Sequence, residues 1–113
     1  MSSRSGEELL LEIAGGDFSR IAPLLEDPAR ARKATGLDAE ASLLAEIAAL
    51  AAVDAPPISW LHLLARNEAT LDIDKVVGAL IAVTPIIGAP RAVSAAGNIL
   101  GATEFEEELD EEP

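Results

Sequence analysis

The chain has no cysteine and no tyrosine, and only one histidine, one methionine and one tryptophan. Without cysteine there is no disulfide, no zinc–thiolate site, no iron–sulfur cluster and no thiol nucleophile. Three aromatic side chains (Phe18, Trp60 and Phe105) and few β-branched ones disfavour a sheet-based fold. Positive charge is also scarce: 8 basic against 20 acidic residues give a formal charge of −12, which would repel nucleic-acid phosphates. The longest nearly apolar run, residues 76–89, spans 14 residues and contains Thr84 and Pro85. A membrane-spanning helix needs about 20 residues, so this run reads as a buried core helix. Near the amino terminus, Arg4 is the one basic residue, and Leu9-Leu10-Leu11 is too short for a secretory core. The expectation is a soluble, cytoplasmic chain with no membrane or nucleic-acid partner.

Alanine and leucine are abundant, together a third of the 113 residues, and they are the strongest helix formers. At this length folding buries roughly 60–70% of the unfolded surface, enough for one core. Ser5-Gly6-Glu7-Glu8 is spaced as a capping box opening a short helix that Gly15-Gly16 stops. Asp17 then predicts a second short helix over 18–26, and Pro28 starts a further turn through Arg30, Arg32 and Lys33. From Asp38, a good N-cap, Leu43, Ile47 and Leu50 run beside Leu44, Ala48 and Ala51 at helical spacing. Asp54-Ala55-Pro56-Pro57 ends that helix, and Pro57 suits the first turn of the next, predicted over 57–68. A third long helix is predicted over 73–87, apolar on nearly every side and therefore central, with Pro85 kinking or ending its last turn. The last helix is predicted over 90–101, where Gly97 and Gly101 are spaced for close packing, either within the chain or between subunits. Seven of the acids fall in residues 104–112, a like-charge run expected to be a disordered solubilising tail, with Phe105 and Leu109 as the alternative, a partner-binding pair of anchors. The chain thus divides into an N-terminal helical segment (1–34), a helical domain (35–103) and an acidic tail (104–113).

Leu37-Asp38 opens an Ala/Leu-rich helix through Leu44, Ile47 and Leu50. His62 follows on the next helix within Ser59-Trp60-Leu61-His62, and Val76-Val77-Gly78-Ala79-Leu80 leads to the turn Gly88-Ala89-Pro90-Arg91. His62 and Val76 are 14 residues apart, and Val76 and Gly88 are 12 apart. In these landmarks and their spacing, residues 35–102 resemble the carboxymuconolactone decarboxylase / alkylhydroperoxidase D-like superfamily. The resemblance implies a compact all-α bundle of about six helices, assembled as a homo-oligomer of three or six copies. It also implies a His that serves a small-molecule site. Peroxidatic relatives place two cysteines before that His; the corresponding positions here are Ala55 and Ile58, so thiol peroxidase chemistry is excluded. The position of the family's relay carboxylate falls on Leu43, and the Arg that the decarboxylase branch keeps near its His would fall on Trp60 or Leu61.

His62 is the leading candidate catalytic residue, for proton transfer near neutral pH or a hydrogen bond to a bound carboxylate. A lone helical histidine is otherwise a structural or solvent-facing residue. Glu46 is the carboxylate nearest the family's relay position; facing inward it would need a partner, with His62 the obvious one, and facing outward it is a solvated charge. Ser59 lies three residues before His62 on the same helical face, where it could bond the ring or simply support the helix start. Trp60 is either core or interface, or the wall of a substrate pocket. No cofactor is expected, and one His with scattered acids lacks metal-ligand spacing. Two functions stand: a small enzyme using His62 on a small metabolite, and a non-catalytic helical oligomerisation module with a decayed site.

Overall fold

The computed structural model describes residues 6–111, and the side chains of all of these but Thr70 and 105–111. Among them are six α-helices and no strand: α1 (Gly6–Ala14), α2 (Pro28–Ala34), α3 (Ala39–Ala52), α4 (Pro57–Arg66), α5 (Ile73–Ile87) and α6 (Ala89–Glu111). The chain divides into two compact units, residues 1–36 and residues 37–113. The proposed capping box at Ser5 lies outside the described residues.

In the first unit, α1 ends at Gly15-Gly16, with Gly16 in the left-handed region. Residues 18–26 form turns around a single 3-10 turn, Ala22–Leu24, and not the short helix that the pattern suggested. Pro23 has no N–H to donate there. Asp17 accepts from the Ser19 hydroxyl (2.7 Å) and amide (3.1 Å), which hold its carboxyl below the ordinary carboxylate range and close a local turn. Asp27 caps α2 by accepting from the Arg30 amide. No residue of α1, of the 3-10 turn or of α2 is fully buried.

The second unit carries the core. Asp38 caps α3, accepting from the Ala41 amide at 2.7 Å, and Leu43, Ile47 and Ala51 turn a buried stripe inward at four-residue spacing. Asp54, at φ +52°, breaks the helix before the prolines, and its carboxylate accepts from the Ser94 hydroxyl at 2.7 Å. Arg91 donates to the Ala52 carbonyl at 2.9 Å, so the carboxyl end of α3 is tied to the start of α6. Pro57 opens α4, which buries Trp60, Leu63 and Leu64. Asp72 caps α5, and Gly88, at φ 86° and ψ 161°, makes the turn to α6 in a region that glycine alone occupies readily. Helix α6 packs against α3, α4 and α5 and contributes Ala95, Ile99 and Ala102 to the core.

Two further expectations need correction. Helix α5 is not central: Val76 is its only fully buried residue, while Val77, Ile81 and Ile86 are 47, 66 and 83% exposed. The central position belongs to α6, whose small side chains let three neighbours approach. That helix also does not end near residue 101 but continues to Glu111, because glutamate is a good helix former and extending an existing helix needs no new nucleus. The side chains of Phe105 and Leu109 lie outside the described residues. Among the described residues no helix is long and apolar enough to cross a membrane.

Candidate functional site

Helices α3 and α4 lie on either side of a cavity of ≈ 310 Å³. Glu46, Ala49 and Leu50 line it from α3, and Ser59, His62, Leu63 and Arg66 from α4. Their spacing explains the convergence: 59, 62, 63 and 66 follow the three- and four-residue steps of one helical face, as do 46, 49 and 50. Three of the four side chains singled out in the sequence, His62, Glu46 and Ser59, therefore share one cavity. The fourth, Trp60, does not line it; its side chain is fully buried in the core. Among the described residues its indole Nε1–H has no hydrogen-bond partner.

Glu46 faces Arg66, with Oε1 and Nη2 3.7 Å apart and the two side chains 33 and 46% exposed. Arg66 is thus an ion-pair partner of Glu46 across the two helices. The pair is longer than a hydrogen bond, so it orients Arg66 electrostatically while the N–H fork stays available to an incoming anion. The sequence signal for Arg66 was present but unused: it stands four residues after His62, one turn further along the same face. His62 is exposed on the cavity wall, and among the described residues its ring takes part in no hydrogen bond. Ser59 is partly buried beside it on the same face. A cationic fork, an imidazole and a hydroxyl thus line one side of a cavity whose other polar group is a carboxylate. The apolar remainder is Ala49, Leu50 and Leu63. Such a set can bind a small molecule carrying an anionic or carbonyl group and exchange a proton with it. A serine and a histidine three residues apart on one helix do not by themselves make a serine-hydrolase site. Among the described residues no group of three or more His, Asp or Glu converges as metal ligands would.

A second concavity, ≈ 440 Å³, runs between α4 and α6 and is lined by Pro57, Ile58, Leu61, Gly97, Asn98, Gly101 and Ala102. A Cβ added at Gly97 or Gly101 would meet no atom within 4 Å, so these glycines face open space and make no close internal helix contact. Set against known protein families, curated proteins and solved structures, the chain matches none.

Proposed function

We propose that this chain is a carboxymuconolactone decarboxylase-like helical protein that binds a small metabolite between α3 and α4 and moves a proton with His62. The observation that carries the reading is the convergence of Glu46, Ser59, His62 and Arg66 on one cavity of ≈ 310 Å³. In this reading Arg66 pairs with a carboxylate or enolate oxygen of the ligand, and Glu46 holds the guanidinium in place. The imidazole takes a proton from carbon or oxygen and returns it. Histidine suits the task because its ordinary pKa lies near neutrality. Thiol peroxidase chemistry has no part, since the chain has no cysteine. The cytoplasm is the proposed compartment.

The test is a thermal-shift screen of small carboxylates and lactones, followed by deuterium uptake from D₂O into whichever compound stabilises the protein. Exchange that falls by about 10²–10⁴ in His62→Gln, with binding retained, would support the reading. A stabilising compound that leaves the His62 ring signals unmoved would overturn it. The competing reading, a non-catalytic helical assembly module, draws on the His62 ring having no orienting partner among the described residues. It predicts that no compound in the screen raises the melting temperature and that His62→Gln changes nothing measurable.

A further inference from the structure

The two ends of the cavity between α3 and α4 differ in charge. Glu46 meets Arg66 at 3.7 Å, while residues 53–56 join the opposite ends of the two helices, so α3 and α4 run antiparallel here. Ala49 and Leu50 therefore lie towards His62 and Ser59, and Glu46 lies towards Arg66. Along α4 the polar groups come in the order Ser59, His62, Arg66. At about 1.5 Å per residue their backbones step by about 4.5 Å and then by about 6 Å. Among the described residues, Arg66 is the one guanidinium or ammonium group on the cavity wall. Resting on the proton-transfer reading of this site, we propose that the ligand is an oxo acid with a single negative charge. Its carboxylate lies at Arg66, its ketone at Ser59, and His62 acts on the carbon beside the ketone.

Charge fixes the number of carboxylates. Glu46 already offsets part of the Arg66 charge, which leaves the guanidinium able to hold one ligand carboxylate and not two. A second carboxylate at the Ser59 end would lie beside Ala49 and Leu50, with no cation on the wall there, in a chain of net charge −12. A neutral ketone at that end needs only the hydrogen bond that the Ser59 hydroxyl can donate. Spacing fixes the length. An extended chain covers about 1.2 Å per bond, so a ketone five bonds from the carboxyl carbon lies about 6 Å from it. Hydrogen bonds of about 3 Å at each end bring the total close to the roughly 10 Å from Ser59 to Arg66. The volume of ≈ 310 Å³ suits so small a molecule. The step balances without a co-reactant. The imidazole takes a proton from the carbon beside the ketone, the C–H electron pair forms the C=C of an enolate, and the enolate oxygen accepts from the Ser59 hydroxyl. Return of the proton to carbon restores the ketone.

Isothermal titration calorimetry of the full chain with four seven-carbon probes tests this: 6-oxoheptanoate, heptanoate, heptanedioate and 2-heptanone. The expected order puts 6-oxoheptanoate first. Heptanoate, without the ketone, should bind about two- to tenfold more weakly, and 2-heptanone, without the charge, about ten- to a hundredfold more weakly. Heptanedioate, with a second charge in place of the ketone, should bind at least about tenfold more weakly. In D₂O the wild type should exchange the hydrogens beside the ketone of 6-oxoheptanoate. Ser59→Ala should slow that exchange about tenfold and bind 6-oxoheptanoate no better than heptanoate, with the heptanoate affinity unchanged, a pattern that loss of folding does not produce. Heptanedioate bound as tightly as 6-oxoheptanoate, or a Ser59→Ala protein that still prefers the ketone, would overturn the proposal. If none of the four binds while another carboxylate of the thermal-shift screen exchanges through His62, the oxo acid is wrong and the proton-transfer reading stands. If nothing in that screen binds, both fall.

Discussion

Trp60 shows how much one side chain fixes in so small a core. Among the described residues it is the largest fully buried one, and its indole Nε1–H has no hydrogen-bond partner there. Leaving a buried donor unpaired costs about 1–3 kcal/mol, which offsets part of what the ring gains by burial. Trp60→Phe removes the donor and keeps most of the ring, so the expected loss is no more than about 1 kcal/mol. Trp60→Ala should cost about 3–5 kcal/mol. Urea unfolding followed by circular dichroism separates the two, and a Phe variant as damaged as the Ala variant would show that the indole N–H is in fact satisfied. The Arg66–Glu46 pair belongs to a different class. Partly exposed pairs contribute about 0–1 kcal/mol, so this one matters for where the guanidinium sits and not for folding.

Among the elements, α6 carries the packing. It touches α3, α4 and α5, its buried positions among the described side chains are Ala95, Ile99 and Ala102, and its start is anchored by Arg91 and Ser94 to the end of α3. All of these lie before residue 103, although the helix runs to Glu111. The acids that close it stand at the negative end of the helix dipole, where like charge is unfavourable. Deleting residues 104–113 should therefore leave the melting temperature and the sedimentation mass unchanged within error while lowering the helical signal in proportion to length. A clear loss of assembly would mean that Phe105 or Leu109 packs against another surface. The end of α5 was legible from Pro85 and Gly88. Pro85 sits two residues before the stop; beside it the Thr84 hydroxyl donates to the Leu80 carbonyl and the Gly88 amide to the Thr84 carbonyl. What could not be read was which side of α5 the rest of the chain covers, because an all-round apolar pattern marks no face.

For the molecule as a whole, the buried cluster runs from Leu43 to Ala102, inside the second compact unit. Residues 37–113 should therefore fold alone, with a single cooperative thermal transition seen equally by far-UV circular dichroism and by the fluorescence of Trp60. Loss of cooperativity in that fragment would show that residues 1–36 complete the core. A fragment of 77 residues has a small core, so an apolar contact between copies would add noticeably to its stability and make its melting temperature rise with protein concentration.

Sequence alone determined the helical class, the starts of α3, α4 and α5 and the exclusion of thiol chemistry. Each follows from local physics: Ala and Leu propensity, Asp38 and Asp72 accepting from backbone amides, the fixed backbone of Pro57, and the absence of cysteine. The family resemblance pointed to His62 and Glu46, and helical spacing set Ser59 on the face of His62. Tertiary structure decided the rest. It made Arg66 a partner of Glu46, because pairing across two helices depends on their relative rotation, which no single helix encodes. It also put Trp60 in the core and not on the cavity wall, for one helix turns adjacent residues about 100° apart and only the packing of α4 settles which is enclosed. And it left α5 half uncovered, because α3 and α6 pack against only part of a helix that is apolar on every side.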